Sequence, residues 1–245
     1  HQAVVSTNHS LKNGFEFIAE LYFKYSNNIN ALRSNSDIFN ISLSSWEQNV
    51  EQGKSYNGGL ELLLQKKFDD KWRGWIGYTL SKSVQIFPTV NFNTYFPTDY
   101  DRRHDLTLVV LYKPNNKYSF AFTYIFTTGQ PFTMATGKYF DVDGTVRNEF
   151  SGRNNIRLPN TKRLDFSFSR TYKNTNKGQW SYDLSFYNVL FASNPSGAEI
   201  LQTSNTTKAF DVSYIPFMVP ALSLNNNFSF RKKIKRNKHD RKGNS

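Results

Sequence analysis

Side chains that could carry acid–base or metal chemistry are few in this sequence. Its histidines are far apart, and none has another His or a Cys at metal-ligand spacing; they are His1, His9, His104 and His239. Cysteine is absent, which rules out thiolate ligands and disulfides. No nucleophile motif occurs, and no two carboxylates stand in a catalytic frame. We therefore expect a protein that is not an enzyme and that uses no metal and no cofactor.

Aromatic residues within the polar stretches are the one hint of ligand binding. The candidates are Trp46, Phe92, Tyr95, Tyr139 and Phe140. Their rings could stack on sugars or pack against a surface partner. Equally, they could pack loop against loop or form the aromatic ring that marks a membrane interface. The sequence favours neither interpretation and names no ligand.

The elements that carry these residues are predicted by alternation of apolar and polar side chains with a period of two, which is typical of strands. No run of 18 or more apolar residues occurs, so a transmembrane helix is excluded. Aromatic residues nevertheless make up 16% of the chain, a combination that membrane barrels show. Most strands have about 9–13 residues, the length that a tilted strand needs to cross a bilayer. Nine strands are predicted, at residues 2–9, 15–25, 60–65, 72–81, 105–113, 118–127, 164–169, 180–186 and 222–230.

The connections between these strands alternate strictly between short and long. Short turns are expected at 11–13, 69–71, 114–116 and 173–178, and long loops at 26–54, 83–102, 128–161 and 191–220. An outer-membrane barrel has short turns on the periplasmic side and long loops outside, whereas a soluble sandwich has no reason to collect its long loops at one end. We predict an all-β fold, an antiparallel transmembrane β-barrel segment.

Charged residues on the polar side of the predicted strands would face the interior of such a barrel. There they could contact a plug or line a permeation path, or they could simply be the polar half of the wall, which is the interpretation we favour. They are Glu16, Glu20, Glu61, Arg73, Asp105, Asp165 and Asp183.

A motif in residues 96–105 contains Asp99, Asp101, Arg102 and His104. It resembles the Pro-x-Asp-x-Asp-x-Arg-His stretch near the C-terminus of TonB-dependent outer-membrane receptors of Bacteroidota. His104 could belong to a polar latch where a long loop enters the wall. We favour the alternative, in which it belongs to a hydrogen-bonded charge cluster that sets the strand register.

Three further segments resemble the same family in the same order. Gly129 and Pro131 lie in a Thr-Gly-x-Pro-Phe-Thr segment, and Arg163 and Asp165 end an Arg-Leu-Pro-x-x-x-Arg-Leu-Asp segment. Asn188 lies in a Tyr-Asn-Val segment that is followed by Asn-Pro. The order and spacing agree over residues 55–230, and four motifs in register are more specific than any one of them.

This resemblance implies a 22-stranded barrel with an N-terminal plug in the outer membrane of a Gram-negative bacterium. It implies uptake of a nutrient (a glycan, a peptide or a metal chelate) that is powered through the TonB complex. Residues 1–230 would supply about nine strands of this larger barrel. The partners would be outer-membrane lipid, the remaining strands and the plug, with a surface lipoprotein as a further candidate. In barrels of this class the insertion machinery recognises an aromatic residue at the end of the last strand, and Phe230 occupies the corresponding position.

Two other functions remain open at this point. One is an outer-membrane barrel with a structural or secretion-scaffold role, and the other is a soluble β-rich carbohydrate-binding module. Residues 231–245 form a separate basic tail with eight Lys/Arg and one Asp, expected in the periplasm. Nucleic acid is not an expected partner, because no aromatic residues interleave these cations and no nucleic-acid fold precedes them. Anionic lipid head groups or solvent fit better.

Overall fold

The computed structural model describes residues 1–33, 49–67, 71–142, 144–174, 178–203, 206–214 and 217–227. The fold is all-β, as predicted. The strands are β1 (Gln2–Ser10), β2 (Phe15–Leu32), β3 (Val50–Lys66), β4 (Trp72–Ile86), β5 (Phe96–Pro97), β6 (His104–Asn115), β7 (Tyr118–Thr127), β8 (Pro131–Phe132), β9 (Gly137–Phe140), β10 (Val146–Glu149), β11 (Ile156–Arg157), β12 (Thr161–Asn174), β13 (Gly178–Tyr187), β14 (Asn194–Thr203), β15 (Thr206–Tyr214) and β16 (Val219–Asn227).

One large antiparallel sheet contains every strand that the alternation predicts. Its order is β1-β2-β3-β4-β6-β7-β12-β13-β16, with β5 paired to β4. Each long strand therefore pairs with its neighbour in the chain, which is the arrangement of a meander. Among the described strands the sheet is not closed into a barrel: β1 and β16 are its two edges.

The alternation of short and long connections is confirmed, with corrections to the first two long loops. We expected a loop over 26–54, but β2 and β3 remain paired as far as Leu32 and Val50. A bulge at Asn28, which has a φ of 57°, absorbs one residue and lets the ladder continue. The second, expected over 83–102, begins only after β4 ends at Ile86. The other two long loops carry strand pairs of their own: β8 pairs with β11 and β9 with β10 in one, and β14 pairs with β15 in the other. The alternation does not predict these pairs.

The register gives the sheet one apolar face and one polar face. Residues directly opposite each other share a face, and one such row joins Leu21, Leu60 and Leu80. The adjacent row joins Glu20, Glu61 and Thr79 on the other side. We call these the apolar face and the polar face. Large apolar side chains on the apolar face are exposed; Leu21 is 60% exposed.

A small buried core lies at the long-loop end of the polar face. Phe87, Val90 and Phe96 are almost fully buried there and pack against Ile29 and Ala31 of β2. The loop between β4 and β6 thus folds across the polar face instead of extending away from the sheet. Among the described residues, no helix is both long enough and apolar enough to cross a membrane.

Candidate functional site

The motif in residues 96–105 is organised around one buried carboxylate. Asp101 is fully buried, and its Oδ1 accepts a hydrogen bond of 2.7 Å from the backbone N–H of Ser83 on β4. Its Oδ2 forms an ion pair with Arg157 and lies 3.3 Å from a guanidinium nitrogen of Arg103. We call Asp101, Arg103 and Arg157 the Asp101 cluster. It ties two long loops to the sheet.

Gly129 and Pro131 lie beside this cluster, where β8 and β11 meet. Arg157 donates hydrogen bonds to the backbone carbonyls of Asp101 (2.8 Å) and Gly129 (3.1 Å). A Cβ at Gly129 would lie 1.5 Å from the carbonyl oxygen of Leu158. Only glycine fits there, because the two backbone segments approach too closely for any side chain.

Arg102 points into a polar cleft at the same end of the sheet. Its guanidinium donates hydrogen bonds to the hydroxyl of Thr127 (2.9 Å) and to the side-chain oxygen of Gln130 (3.1 Å). The cleft has a volume of about 340 Å³, and Thr161 and Asn194 also line it. Arg102 is therefore a structural tie whose remaining donors face a solvent-accessible recess.

His104 lies outside the Asp101 cluster. Leu80 is its register partner, so its ring stands on the apolar face, opposite to the side chain of Asp105. Its Nδ1 is 2.8 Å from the hydroxyl of Tyr78, and the two rings are stacked. The expected charge cluster therefore exists, but the side chain of His104 takes no part in it.

Arg163, Asp165 and Asn188 form a second tie, between β12 and the end of β13. Asp165 lies 3.0 Å from Nε of Arg163 and accepts a 2.9 Å hydrogen bond from the backbone N–H of Asn188. Asn188 has a φ of 56° and is almost fully buried. Its side chain bonds both backbone groups of Ala192. Arg163 stacks on the ring of Tyr187 at 4.7 Å.

The long loops are clamped to each other as well as to the sheet. The side chain of Asn91 exchanges two hydrogen bonds with the backbone of Arg153 (2.9 and 2.7 Å), and the Arg153 guanidinium donates to the carbonyl of Leu32. Asp99 accepts a 2.7 Å hydrogen bond from Asn154. The loop between β4 and β6 and the loop between β7 and β12 therefore form one connected layer across the long-loop end of the polar face, and Arg153 ties this layer to the end of β2. Sequence reasoning singled out none of Asn91, Arg153 and Asn154.

The candidate aromatic residues occupy different environments. Phe92 is 91% exposed and has a φ of 56°, beside the fully buried Val90. Tyr95 packs edge-on against Tyr56 on the apolar face, with ring centres 5.9 Å apart. Tyr139 and Phe140 lie exposed in the β9–β10 hairpin. Trp46, Phe230 and the tail at 231–245 lie outside the described residues.

Two rows of aromatic side chains border the apolar face, and only the assembled register reveals them. At the long-loop end His1, Tyr25, Tyr56 and Tyr95 form the long-loop aromatic row, with ring centres 5.1–6.2 Å apart. At the other end the short-turn aromatic row consists of Trp72, Tyr112, Tyr118, Phe120, Phe168, Tyr172 and Tyr182.

The polar face carries all seven charged residues that were predicted to share it. Glu16 is held by Asn8, Gln65 and Lys67, and Asp183 accepts a hydrogen bond of 2.6 Å from Asn225. Within the described ranges no group of three or more His, Cys, Asp or Glu side chains could hold a metal ion.

Comparison with known proteins adds no relative. No family model matches the chain, and no curated protein and no solved structure is significantly similar to it. The resemblance to TonB-dependent receptors therefore rests on the four sequence motifs alone.

Proposed function

We propose that this chain forms part of the wall of an outer-membrane β-barrel that imports a nutrient by TonB-coupled transport. The apolar face would contact lipid and the polar face would line the lumen, with the long loops outside the cell. The observation that carries the membrane part of this proposal is the pair of borders on the apolar face, which remain nearly equidistant from strand to strand.

The short-turn border combines aromatic and basic residues. The guanidinium of Arg170 lies 5.5 Å from the ring centre of Tyr118 and 4.5 Å from that of Tyr172. Lys66 lies over Phe15 at 5.6 Å. Rings of this kind sit at the level of lipid head groups, because one side of each residue is apolar and the other polar.

The long-loop border follows the same course along the sheet. It consists of the long-loop aromatic row, with Tyr25 on β2 and Tyr56 on β3, followed by Lys82, His104 and Lys162 on β4, β6 and β12. Ten residues separate Tyr56 from Lys66 on β3, and eight separate Lys162 from Arg170 on β12. With strands tilted by 35–45°, these lengths correspond to a band about 19–27 Å tall. From β2 to β13 the band contains no Asp, Glu, Lys or Arg.

Both borders shift in the same direction relative to the hydrogen-bonded register. Lys82 lies two residues nearer the short turns than Val84, which is the partner of Tyr56. His104 lies opposite Leu80, which is two residues nearer the short turns than Lys82. At the other border Trp72 lies two residues beyond Gly74, the partner of Lys66. A stagger of this kind is what tilted strands in a barrel wall require.

The transport part of the proposal rests on the loop layer and on the motifs. The Asp101 cluster and the Asn91–Arg153 clamp hold two loops across the end of the polar face, which would be the outer mouth of the lumen. Loops in this position can contact a ligand before it passes inward. Coupling to TonB would require a plug, which is not part of the described strands.

The membrane assignment is tested by paired arginine substitutions at the middle of the band. Leu108 lies on the apolar face and Thr107 beside it on the polar face. We expect Leu108→Arg to cost about 2–4 kcal/mol of stability in the bilayer and Thr107→Arg to be tolerated, as measured by urea unfolding of the full-length protein in vesicles. Equal effects of the two substitutions, or recovery of the protein in the soluble fraction without detergent, would contradict the assignment.

Coupling is tested separately, by site-specific photo-crosslinking of the full-length protein to TonB in cells. A transporter should give a TonB adduct from its periplasmic side. A correctly inserted barrel that gives no adduct at any position would instead favour a structural or secretion-scaffold role.

A further inference from the structure

Charge is separated between the two faces of the sheet in a way that membrane insertion alone does not require. Every charged strand residue on the apolar face of the nine main strands is a cation: Lys54, Lys66, Lys82, Lys162 and Arg170. The acidic residues of these strands all lie on the polar face. Long Lys and Arg side chains can lie along an apolar surface with their charged groups in a polar layer, and a border that carries only cations is complementary to anionic groups.

The cations at the two borders differ in what they contact. Lys66 and Arg170 engage aromatic rings at the short-turn border. Lys82 and Lys162, at the long-loop border, are exposed, and their ammonium groups contact no acceptor in the part of the chain that the structure describes. His104 lies between them along the border, with its Nδ1 directed to Tyr78, which leaves Nε2 directed away from that bond.

We propose that Lys82, His104 and Lys162 bind the phosphate groups of anionic lipid head groups in the outer leaflet. The proposal rests on the function proposed above. Phosphate fits because the ammonium groups of Lys82 and Lys162 offer N–H donors, as does the His104 ring when Nε2 carries a proton. The apolar band next to them would hold the acyl chains of the same lipid.

The test compares binding of bisphosphorylated lipid A with that of chemically dephosphorylated lipid A. The full-length protein is placed in phosphatidylcholine nanodiscs, and the lipid A that it retains is measured by native mass spectrometry. We expect each lysine to contribute about fivefold in affinity. The double variant Lys82→Gln/Lys162→Gln should therefore lose about 25-fold for the phosphorylated lipid and little for the dephosphorylated one.

The matched control removes two cations from the polar face, by Lys24→Gln/Lys113→Gln, and should change binding less than about twofold, because those positions face away from lipid. Replacement of Lys82 and Lys162 by arginine should restore binding. An inserted protein in which the border double variant binds like the unaltered protein, or in which the control loses as much, would overturn this inference alone. A protein that does not enter the membrane would overturn the proposed function with it.

Discussion

The Asp101 cluster allows a quantitative prediction about the loop layer. The change Asp101→Asn keeps the size of the side chain but removes its charge. An amide can satisfy either the N–H of Ser83 or the two arginines, Arg103 and Arg157, but not both. A charge-assisted hydrogen bond contributes about 1.5–3 kcal/mol. The arginine side chains are 33% and 35% exposed, so water compensates part of the loss.

We therefore expect Asp101→Asn to lower the free energy of local opening by about 2–3 kcal/mol, which corresponds to about 30- to 150-fold faster exchange. Hydrogen–deuterium exchange of residues 98–104 and 155–159 measures this directly. Asp141→Asn is the control, because Asp141 pairs with Arg147 within a half-exposed hairpin and the loss there should stay below about 1 kcal/mol. Unchanged exchange at 98–104 in the Asp101 variant would refute the reasoning, as would an equal increase there in the control.

Three further substitutions test particular backbone positions. Gly129→Ala should lower the free energy of unfolding in urea by about 2–3 kcal/mol, because the added Cβ would meet the Leu158 carbonyl. Gly58→Ala is the control and should cost clearly less, since the nearest backbone atom to a Cβ there is 3.4 Å away. Equal losses in the two variants would count against this explanation. Phe92→Gly should raise the stability by about 1 kcal/mol by relieving a left-handed conformation, and a loss would show that the ring is needed for packing. Asn188→Ala should cost about 2 kcal/mol and speed proteolysis at residues 188–193, unless water replaces both side-chain bonds.

The strands were predictable from the sequence because the alternation of apolar and polar residues within each strand assigns its side chains to the two faces of the sheet. Alternation over residues 118–127 assigns Phe122 to one face and Thr123 to the other without knowledge of any neighbour. The same rule places His104 and Asp105 on opposite faces, so the position of the His104 side chain on the apolar face was predictable from the sequence. The charged residues around His104 in the motif instead led us to expect it in a charge cluster.

The contacts of the site depend on pairings that no local pattern reveals. Arg157 lies 56 positions from Asp101, and Asn91 lies 62 positions from Arg153. The sequence contains several arginines that could have paired with Asp101. Which of them does so depends on how the loops fold back over the polar face. The aromatic rows are similar, since their continuity depends on the relative register of strands that are distant in the chain.

The two edges of the sheet also limit what can complete a closed wall. Nine strands joined by antiparallel pairings make the first and the last run in the same direction. Two copies arranged around a shared axis would therefore bring β16 of one against β1 of the other in parallel. An entirely antiparallel closure requires an odd number of added strands, and a wall of 22 strands with these nine leaves thirteen, which is odd. In the proposed barrel, the completing segment would therefore begin and end on strands that run opposite to β1, and a single copy of these nine strands on their own would leave one parallel junction.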